Sequence, residues 1–254
     1  MKMRGFIFSL AVLLVAGASA RASGEAPEFR NITSFTLHDY SNAASGRTFE
    51  DAFIAKVRPG ASLVLKAYRD DRRTWAKNIY TLGATFVTGG YDYAEFDLGF
   101  GRDSAKEKSR YYAFEYTREK PRYIAAAGYR HAAEPGYHAN VISPSLKWNF
   151  MPRASVFAKY FYAFDSDSNS SGTLWMEAAG RVSDKLTFKA GFTTGGRMID
   201  NEYGRAAEGS FHSYILGLDF ALKNNATLKY IFENLHRDTQ ARDKKNTLVI
   251  DLKF

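Results

Sequence analysis

The chain of 254 residues contains no cysteine. This absence excludes disulfides, thiolate metal sites and cysteine nucleophiles, and it excludes a lipoprotein, whose lipid is carried on a cysteine after the signal peptide. No stretch reaches about 18 consecutive apolar residues, the length that a membrane-spanning helix needs. The sequence therefore predicts neither a lipid anchor nor a transmembrane helix.

Residues 1–20 have the pattern of a secretory signal peptide. Lys2 and Arg4 precede an apolar run at 6–16, and Ala18-Ser19-Ala20 offers a cleavage site. The apolar run is too short to cross about 30 Å of hydrocarbon as a helix. We therefore predict cleavage near Ala20 and export of the mature chain.

The mature chain is predicted to hold a short leader at 21–29 and one domain at 30–254. Aromatic residues make up 15% of the sequence and charged residues 24%, a combination that suits a membrane barrel with aromatic girdles and a polar lumen. The net charge is +8, and removal of Lys2 and Arg4 leaves +6 (8 − 2). In the envelope, lipopolysaccharide and small anionic solutes suit this charge better than nucleic acid does.

The last nine residues, 246–254, alternate polar and apolar side chains. Leu248, Ile250, Leu252 and Phe254 share one face, which is the period of two of a β-strand. An apolar outer face opposite a charged inner face is typical of the wall of a transmembrane β-barrel. The terminal Phe254 resembles the last residue of outer-membrane barrels, and this resemblance implies recognition by the barrel-assembly machinery.

Strand-like runs of about ten residues alternate with turn clusters along the whole domain. We predict an all-β, antiparallel up-and-down barrel of about fourteen strands, an even number as in bacterial single-chain barrels; twelve is the alternative, because the first two runs are the weakest. The predicted strands are 31–40, 47–58, 61–70, 75–88, 91–101, 108–119, 122–132, 137–150, 154–165, 172–182, 185–195, 208–222, 226–236 and 244–254.

The predicted connections alternate between tight and long ones. Turns such as Arg58-Pro59-Gly60 and Met151-Pro152-Arg153 are tight, whereas 165–172, 195–209 and 236–245 are longer and more polar. Strict alternation is expected of a barrel with short periplasmic turns and longer external loops.

The charged members of the alternating pattern are predicted to line the lumen, because a charge that faces the middle of the bilayer costs about 2–4 kcal/mol. Either a salt-bridged interior or a narrow water-filled pore with a mild anion preference is compatible with this pattern. The predicted lumen residues are Lys56, Lys66, Glu95, Asp97, Glu115, Arg130, Lys147, Lys159, Glu177, Arg181, Lys185, Lys189, Asp219, Lys229, Glu233, Asp251 and Lys253, together with Lys77 and Glu50.

A search for catalytic pairs on single strands finds none. Barrel hydrolases carry His and Ser two residues apart, and barrel proteases carry Asp and His two residues apart, so that both face one way. None of the five histidines has such a partner, and there is no phosphate loop, zinc spacing or dinucleotide motif. We predict that the protein is not an enzyme and carries no cofactor or metal, although a site assembled across strands escapes a motif search.

A family resemblance is carried by five segments, which are Thr36–Ser41, Arg47–Val57, Ala61–Arg73, Ala127-Gly128-Tyr129-Arg130 and the last strand. Together they resemble the YaiO family of outer-membrane β-barrels. The resemblance implies a single barrel in the outer membrane of a Gram-negative bacterium, and it brings no known reaction, ligand or catalytic residue. Similar barrels occur fused to helical repeats, which this chain does not contain.

The leading functional prediction is a small passive channel or solute-binding barrel, in which Lys147, Lys159, Lys185 and Lys189 favour anions. The alternative is a non-conducting structural or surface-interaction barrel. In that case cations of the 195–209 and 236–245 loops would contact lipopolysaccharide or envelope polysaccharide. These cations are Arg197, Arg205, Arg237, Arg242, Lys244 and Lys245.

Overall fold

The structure is a computed structural model that describes residues 28–41, 45–72, 75–196, 198–199, 206–207, 210–223, 225–237 and 242–254. The predicted signal peptide and all but the last two residues of the predicted leader lie outside this range. Among the described residues there is no helix long and apolar enough to cross a membrane.

Fourteen antiparallel strands close into one barrel, which confirms the predicted fold and strand number and shows that the alternative of twelve is wrong. Two further short strands, β12 and β13, pair with each other within the connection that follows β11, and the sequence pattern did not predict them. The strands are β1 (Phe29–Tyr40), β2 (Gly46–Arg58), β3 (Ala61–Arg72), β4 (Trp75–Gly89), β5 (Asp92–Asp103), β6 (Lys108–Lys120), β7 (Tyr123–Glu134), β8 (Tyr137–Met151), β9 (Ala154–Asp165), β10 (Ser170–Arg181), β11 (Leu186–Gly195), β12 (Met198–Ile199), β13 (Ala206–Ala207), β14 (Phe211–Lys223), β15 (Ala226–Arg237) and β16 (Arg242–Lys253).

The barrel closes where the first strand meets the last. β1 pairs with β16 from Arg30 opposite Lys253 to Tyr40 opposite Asp243. At the end of this seam the Phe29 N–H donates to the Phe254 carbonyl at 3.2 Å, and the Phe254 N–H donates to the Phe29 carbonyl at 2.8 Å. Closure pairs the backbone groups that an open sheet edge would leave unsatisfied in hydrocarbon.

One face of the alternating pattern is exposed and apolar on the outside of the barrel. On β5, for example, Phe96, Leu98 and Phe100 are 49%, 54% and 61% exposed. Glu95 and Asp97, which alternate with them, line cavities inside the barrel. A continuous belt of exposed apolar side chains suits lipid and not water.

We call the end of the barrel that holds Phe29 and Phe254 the terminal end, and the opposite end the loop end. The prediction that short and long connections alternate strictly is wrong, because only two residues separate β3 from β4 and β7 from β8 at the loop end. Gly136, in the second of these turns, has a φ of +75°, as a tight hairpin requires. An antiparallel hairpin closes with two residues at either end, so the fold itself does not require long loops.

Register shifts occur next to the turns of the terminal end. They lie between Lys56 and Arg58, Val87 and Gly89, Trp148 and Met151, and Ala221 and Lys223. An extra residue of this kind increases the local twist, which helps a sheet to curve into a barrel.

Candidate functional site

The inward face of the barrel is identified by a cavity that residues of distant strands share. Ile32 on β1, Val249 on β16 and Arg130 on β7 line the same space of about 400 Å³, which we call the central cavity. β1 and β7 stand nearly opposite each other in the closed barrel, so this space lies in the lumen. All side chains that share the alternation of these residues therefore point inward.

The register places the predicted strand residues on this inward face. They are Lys56, Lys66, Glu95, Asp97, Glu115, Arg130, Lys147, Lys159, Glu177, Arg181, Lys189, Asp219, Lys229, Glu233, Asp251 and Lys253, with Glu50 and Lys77. Lys185 is different, because β11 begins at Leu186 and Lys185 lies exposed in the preceding turn.

Some ion pairs on the inside of the wall span one or more intervening strands. Lys66 Nζ on β3 lies 2.7 Å from Asp97 Oδ2 on β5. Lys159 on β9 reaches Glu115 on β6 at 3.1 Å, and Lys77 on β4 reaches Glu134 on β7. The last two each span two intervening strands, so they act as chords that hold the curvature of this half of the barrel.

Inward glycines make room for these chords. A Cβ on Gly83 would lie 2.1 Å from Asp97 Oδ1, and a Cβ on Gly128 would lie 2.7 Å from Ser143 Oγ and 3.2 Å from Glu115 Oε2. Glycine in a strand interior weakens the strand, and it often marks a close approach of this kind. The sequence shows glycine at these inward positions, but it does not show which side chains approach them.

Other ion pairs of the inward face lie between neighbouring strands. Lys189 and Asp219 are 2.8 Å apart, and Lys245 and Glu233 are 3.1 Å apart. Asp251 accepts hydrogen bonds from the Arg30 guanidinium at 2.8 and 2.7 Å and also lies 3.8 Å from Lys229 Nζ. Most lumen charges of the middle and the seam are thus satisfied within the wall.

Some inward charges have no such partner. Across the described ranges, the structure shows no ion pair or side-chain hydrogen bond for Arg130, Lys147, Arg181 or Lys253. Arg130 projects into the central cavity. Lys147 and Arg181 line a second cavity of about 460 Å³ at the terminal end. These cations are the ones that a solute in the lumen would meet.

The charge of the lumen changes sign along its axis. The described inward residues that belong to the first or last three residues of a barrel strand form two groups, which we call the terminal ring and the loop ring. The terminal ring holds four cations and two carboxylates: Arg30, Lys56, Arg181, Lys253, Glu119 and Asp251. The loop ring holds three cations and five carboxylates: Arg72, Lys77, Arg237, Asp70, Asp103, Glu134, Asp165 and Asp243.

The mixed-charge, slightly cationic lumen that the sequence predicts is therefore not uniform along its axis. The cationic excess belongs to the terminal ring, whereas the loop ring has a carboxylate excess. The five loop-ring acids were not among the predicted lumen residues, because they stand at strand ends, where the alternation gives way to turn sequence.

A histidine network at the loop end also escaped the motif search. His38 Nε2 on β1 lies 2.9 Å from Thr48 Oγ1 on β2, and His38 Nδ1 lies 3.6 Å from Asp243 Oδ2 on β16. The three residues come from three strands, so no spacing within one strand reveals them. The Asp–His separation exceeds a hydrogen bond, and the network as it stands connects strands across the seam.

Comparison with solved structures shows that the fold is similar to those of channels and porins. CymD, a monoaromatic hydrocarbon channel, superposes with a TM-score of 0.63 at 8% identity, over 89% of this chain and 87% of that one. A Pseudomonas aeruginosa FadL homologue gives 0.62 at 8% identity over 90% of each chain. The KdgM porin, in complex with disordered oligogalacturonate, gives 0.52 at 8% identity over 88% of this chain and 99% of that one.

Identities this low show the fold alone. No protein-family model matches the chain, and no curated protein matches it either. Membership of the YaiO family therefore stays a prediction.

Proposed function

We propose that the protein is an outer-membrane barrel of a Gram-negative bacterium that acts as a small passive channel or solute-binding barrel. The observation that carries the proposal is the central cavity, which residues from opposite walls line without filling it. Barrels of about eight strands are filled by their own side chains, and barrels of 16–18 strands leave an aqueous channel. A barrel of fourteen strands lies between these cases and suits a narrow pore.

The lumen charges support passage of small solutes with an anion preference at one end. Lys147 and Arg181 beside the terminal-end cavity have no ion-pair partner among the described residues, so they stay available to anions. The similarity of the fold to a hydrocarbon channel and to a porin supports the same proposal. Export through a cleaved signal at 1–20 and assembly through Phe254, which is exposed at the terminal end, belong to this proposal.

Single-channel recording in a planar bilayer tests the channel. The refolded barrel is expected to give discrete current steps in sodium chloride, with a reversal potential under a salt gradient that favours chloride. Lys147→Gln should reduce that preference, because it removes an unpartnered inward cation. Lys120→Gln is the matched control, because Lys120 is exposed on the outward face of β6. A folded, heat-modifiable barrel that passes no current would refute conduction.

The surface-interaction alternative has a narrower basis than the sequence suggested. Arg197 and Arg205 lie outside the described residues. Arg237 and Lys245 belong to the inward face, where Lys245 pairs with Glu233. Arg242 and Lys244 remain outward and exposed at the loop end, and lipopolysaccharide is the anionic partner that this position suits. Loss of lipopolysaccharide binding in an Arg242→Gln/Lys244→Gln variant, with the barrel still folded, would support this alternative.

A further inference from the structure

The central cavity has two chemically different walls. Ile32, Ala52 and Val249 contribute apolar surface from β1, β2 and β16. Lys66, Asp97 and Arg130 contribute charge from β3, β5 and β7. Ser34, Thr36 and Thr247 add hydroxyl groups on the apolar side. Glu50 of β2 also lies on the apolar side. A solute that fills this space therefore contacts an apolar surface with one carboxylate and, opposite it, a charged surface.

The charges that line the cavity sum to zero. Lys66 and Asp97 neutralise each other through their 2.7 Å contact. The remaining charged groups are Arg130 on β7 and Glu50 on β2, which stand on well-separated strands of the same cavity. Arg130 forms no ion pair or hydrogen bond with the residues that the structure describes, so its five N–H donors are open to a carboxylate. Glu50 has contacts of its own, yet a carboxylate offers about four acceptor positions and can also receive an ammonium.

We propose that the central cavity binds an amino acid with an apolar side chain, as its zwitterion. The α-carboxylate accepts hydrogen bonds from Arg130, the ammonium donates to Glu50, and the side chain lies against Ile32, Ala52 and Val249. This inference rests on the proposed function, because it names the solute class of that same lumen. A cavity of about 400 Å³ falls in the range of small-molecule sites, which are commonly 300–1,000 Å³.

Other solute classes match this lining less well. A neutral hydrocarbon would leave the Arg130 guanidinium without a partner and displace its water, which is unfavourable for a charged group. An acidic saccharide chain needs cations on both walls, whereas no cation of β1, β2 or β16 lines this cavity among the described residues. An inorganic anion uses neither Glu50 nor the apolar wall. The two walls together suit a solute that carries one positive charge, one negative charge and an apolar side chain.

Three related probes separate the contributions of the two charges. L-phenylalanine carries both groups, 3-phenylpropanoate lacks the ammonium, and phenethylamine lacks the carboxylate. Calorimetric titration of the full refolded barrel in detergent measures each binding constant without requiring conduction. We expect L-phenylalanine to bind at least about tenfold more tightly than either of the other two, because each charge-assisted hydrogen bond contributes a factor of this size.

Variants assign each factor to a residue. Arg130→Gln should abolish the advantage of L-phenylalanine over phenethylamine, and Glu50→Gln should abolish its advantage over 3-phenylpropanoate. Val249→Thr keeps the shape of the wall but adds a hydroxyl, so it should weaken all three probes alike. Arg110→Gln is the control, because Arg110 is exposed on the outward face of β6. Arg130→Lys keeps the charge and should fall between wild type and Arg130→Gln, which guards against a folding defect in one variant.

The outcomes distinguish this inference from the proposed function. Equal affinity for all three probes, or unchanged preferences in Arg130→Gln and Glu50→Gln barrels that are heat-modifiable and folded, would overturn the amino-acid site. Chloride current without preferential binding of L-phenylalanine would support the channel and refute the amino-acid site. Selective binding of L-phenylalanine without any current would refute the channel and support the amino-acid site.

Discussion

Lys159 Nζ on β9 lies 3.1 Å from Glu115 Oε2 on β6, across two intervening strands and 44 residues of sequence. The pair makes a chord inside a curved wall, and Gly128 and Ser143 lie beneath it. Because the two side chains are 20% and 34% exposed, water in the lumen weakens the attraction only in part. The chord therefore links strand curvature to lumen shape.

Removal of one partner of this chord should destabilise the barrel. Lys159→Met leaves Glu115 half-buried without its cation, and we expect a loss of about 1–2 kcal/mol in the free energy of unfolding. The double variant Lys159→Met/Glu115→Leu should recover part of that loss, because no uncompensated charge remains. Urea unfolding in lipid vesicles, followed by tryptophan fluorescence, measures both. A single variant as stable as wild type would contradict the role of the chord.

Gly83 should be needed for stability, because the Asp97 carboxylate occupies the space that a larger side chain would fill. Gly83→Ala places a Cβ 2.1 Å from Asp97 Oδ1, so Asp97 must move and its contact with Lys66 must loosen. We expect a loss of about 1–3 kcal/mol from overpacking. Gly180→Ala is the matched control, because a Cβ there has no atom within 4 Å and glycine-to-alanine in a strand is otherwise neutral or favourable. Equal unfolding midpoints for the two variants would refute the steric explanation.

The terminal and loop rings should make the current depend on the sign of the voltage. Opposite charge excess at the two mouths concentrates anions at one and cations at the other. In a bilayer with uniformly oriented barrels, Arg181→Gln/Lys253→Gln should reduce the ratio of currents at equal and opposite voltages, on the order of twofold at low salt. The ratio should approach one at high salt in the wild type, since screening removes the effect. A ratio that ignores both salt and the substitutions would disprove the polarity of the lumen.

A charged residue on the outward apolar belt should destabilise the barrel more near the middle of the bilayer than near its surface. Leu98 lies near the middle of β5 and is 54% exposed, so Leu98→Lys should cost about 2–4 kcal/mol in a bilayer. Val182 is also exposed and apolar, but it lies in a turn at the terminal end. Val182→Lys should therefore cost only about 0–1 kcal/mol. Unfolding in lipid vesicles compares the two. If both substitutions cost the same, the belt of β5 does not face hydrocarbon.

Alternation along single strands could be read without the structure. The period of two identified all fourteen barrel strands and assigned residues such as Lys66, Lys159 and Lys189 to the inward face, because neighbouring side chains of a strand must point to opposite sides. In a membrane barrel a charged side chain that faces lipid is unfavourable, so the charged face of each strand must be the inner one. Strand ends were less accurate, as Lys185 shows, because turns obey no such period.

The sequence by itself determined the barrel, its strand number and its two faces, since these follow from local periodicity and from the need to pair every backbone group in hydrocarbon. Only the tertiary structure decided which charges meet. The register and curvature of the closed sheet bring Lys159 to Glu115 and His38 to Asp243. They also direct Arg130 into the cavity that Ile32 lines from the opposite wall. Such contacts depend on strand order and stagger around the whole circumference, and no single strand carries that information.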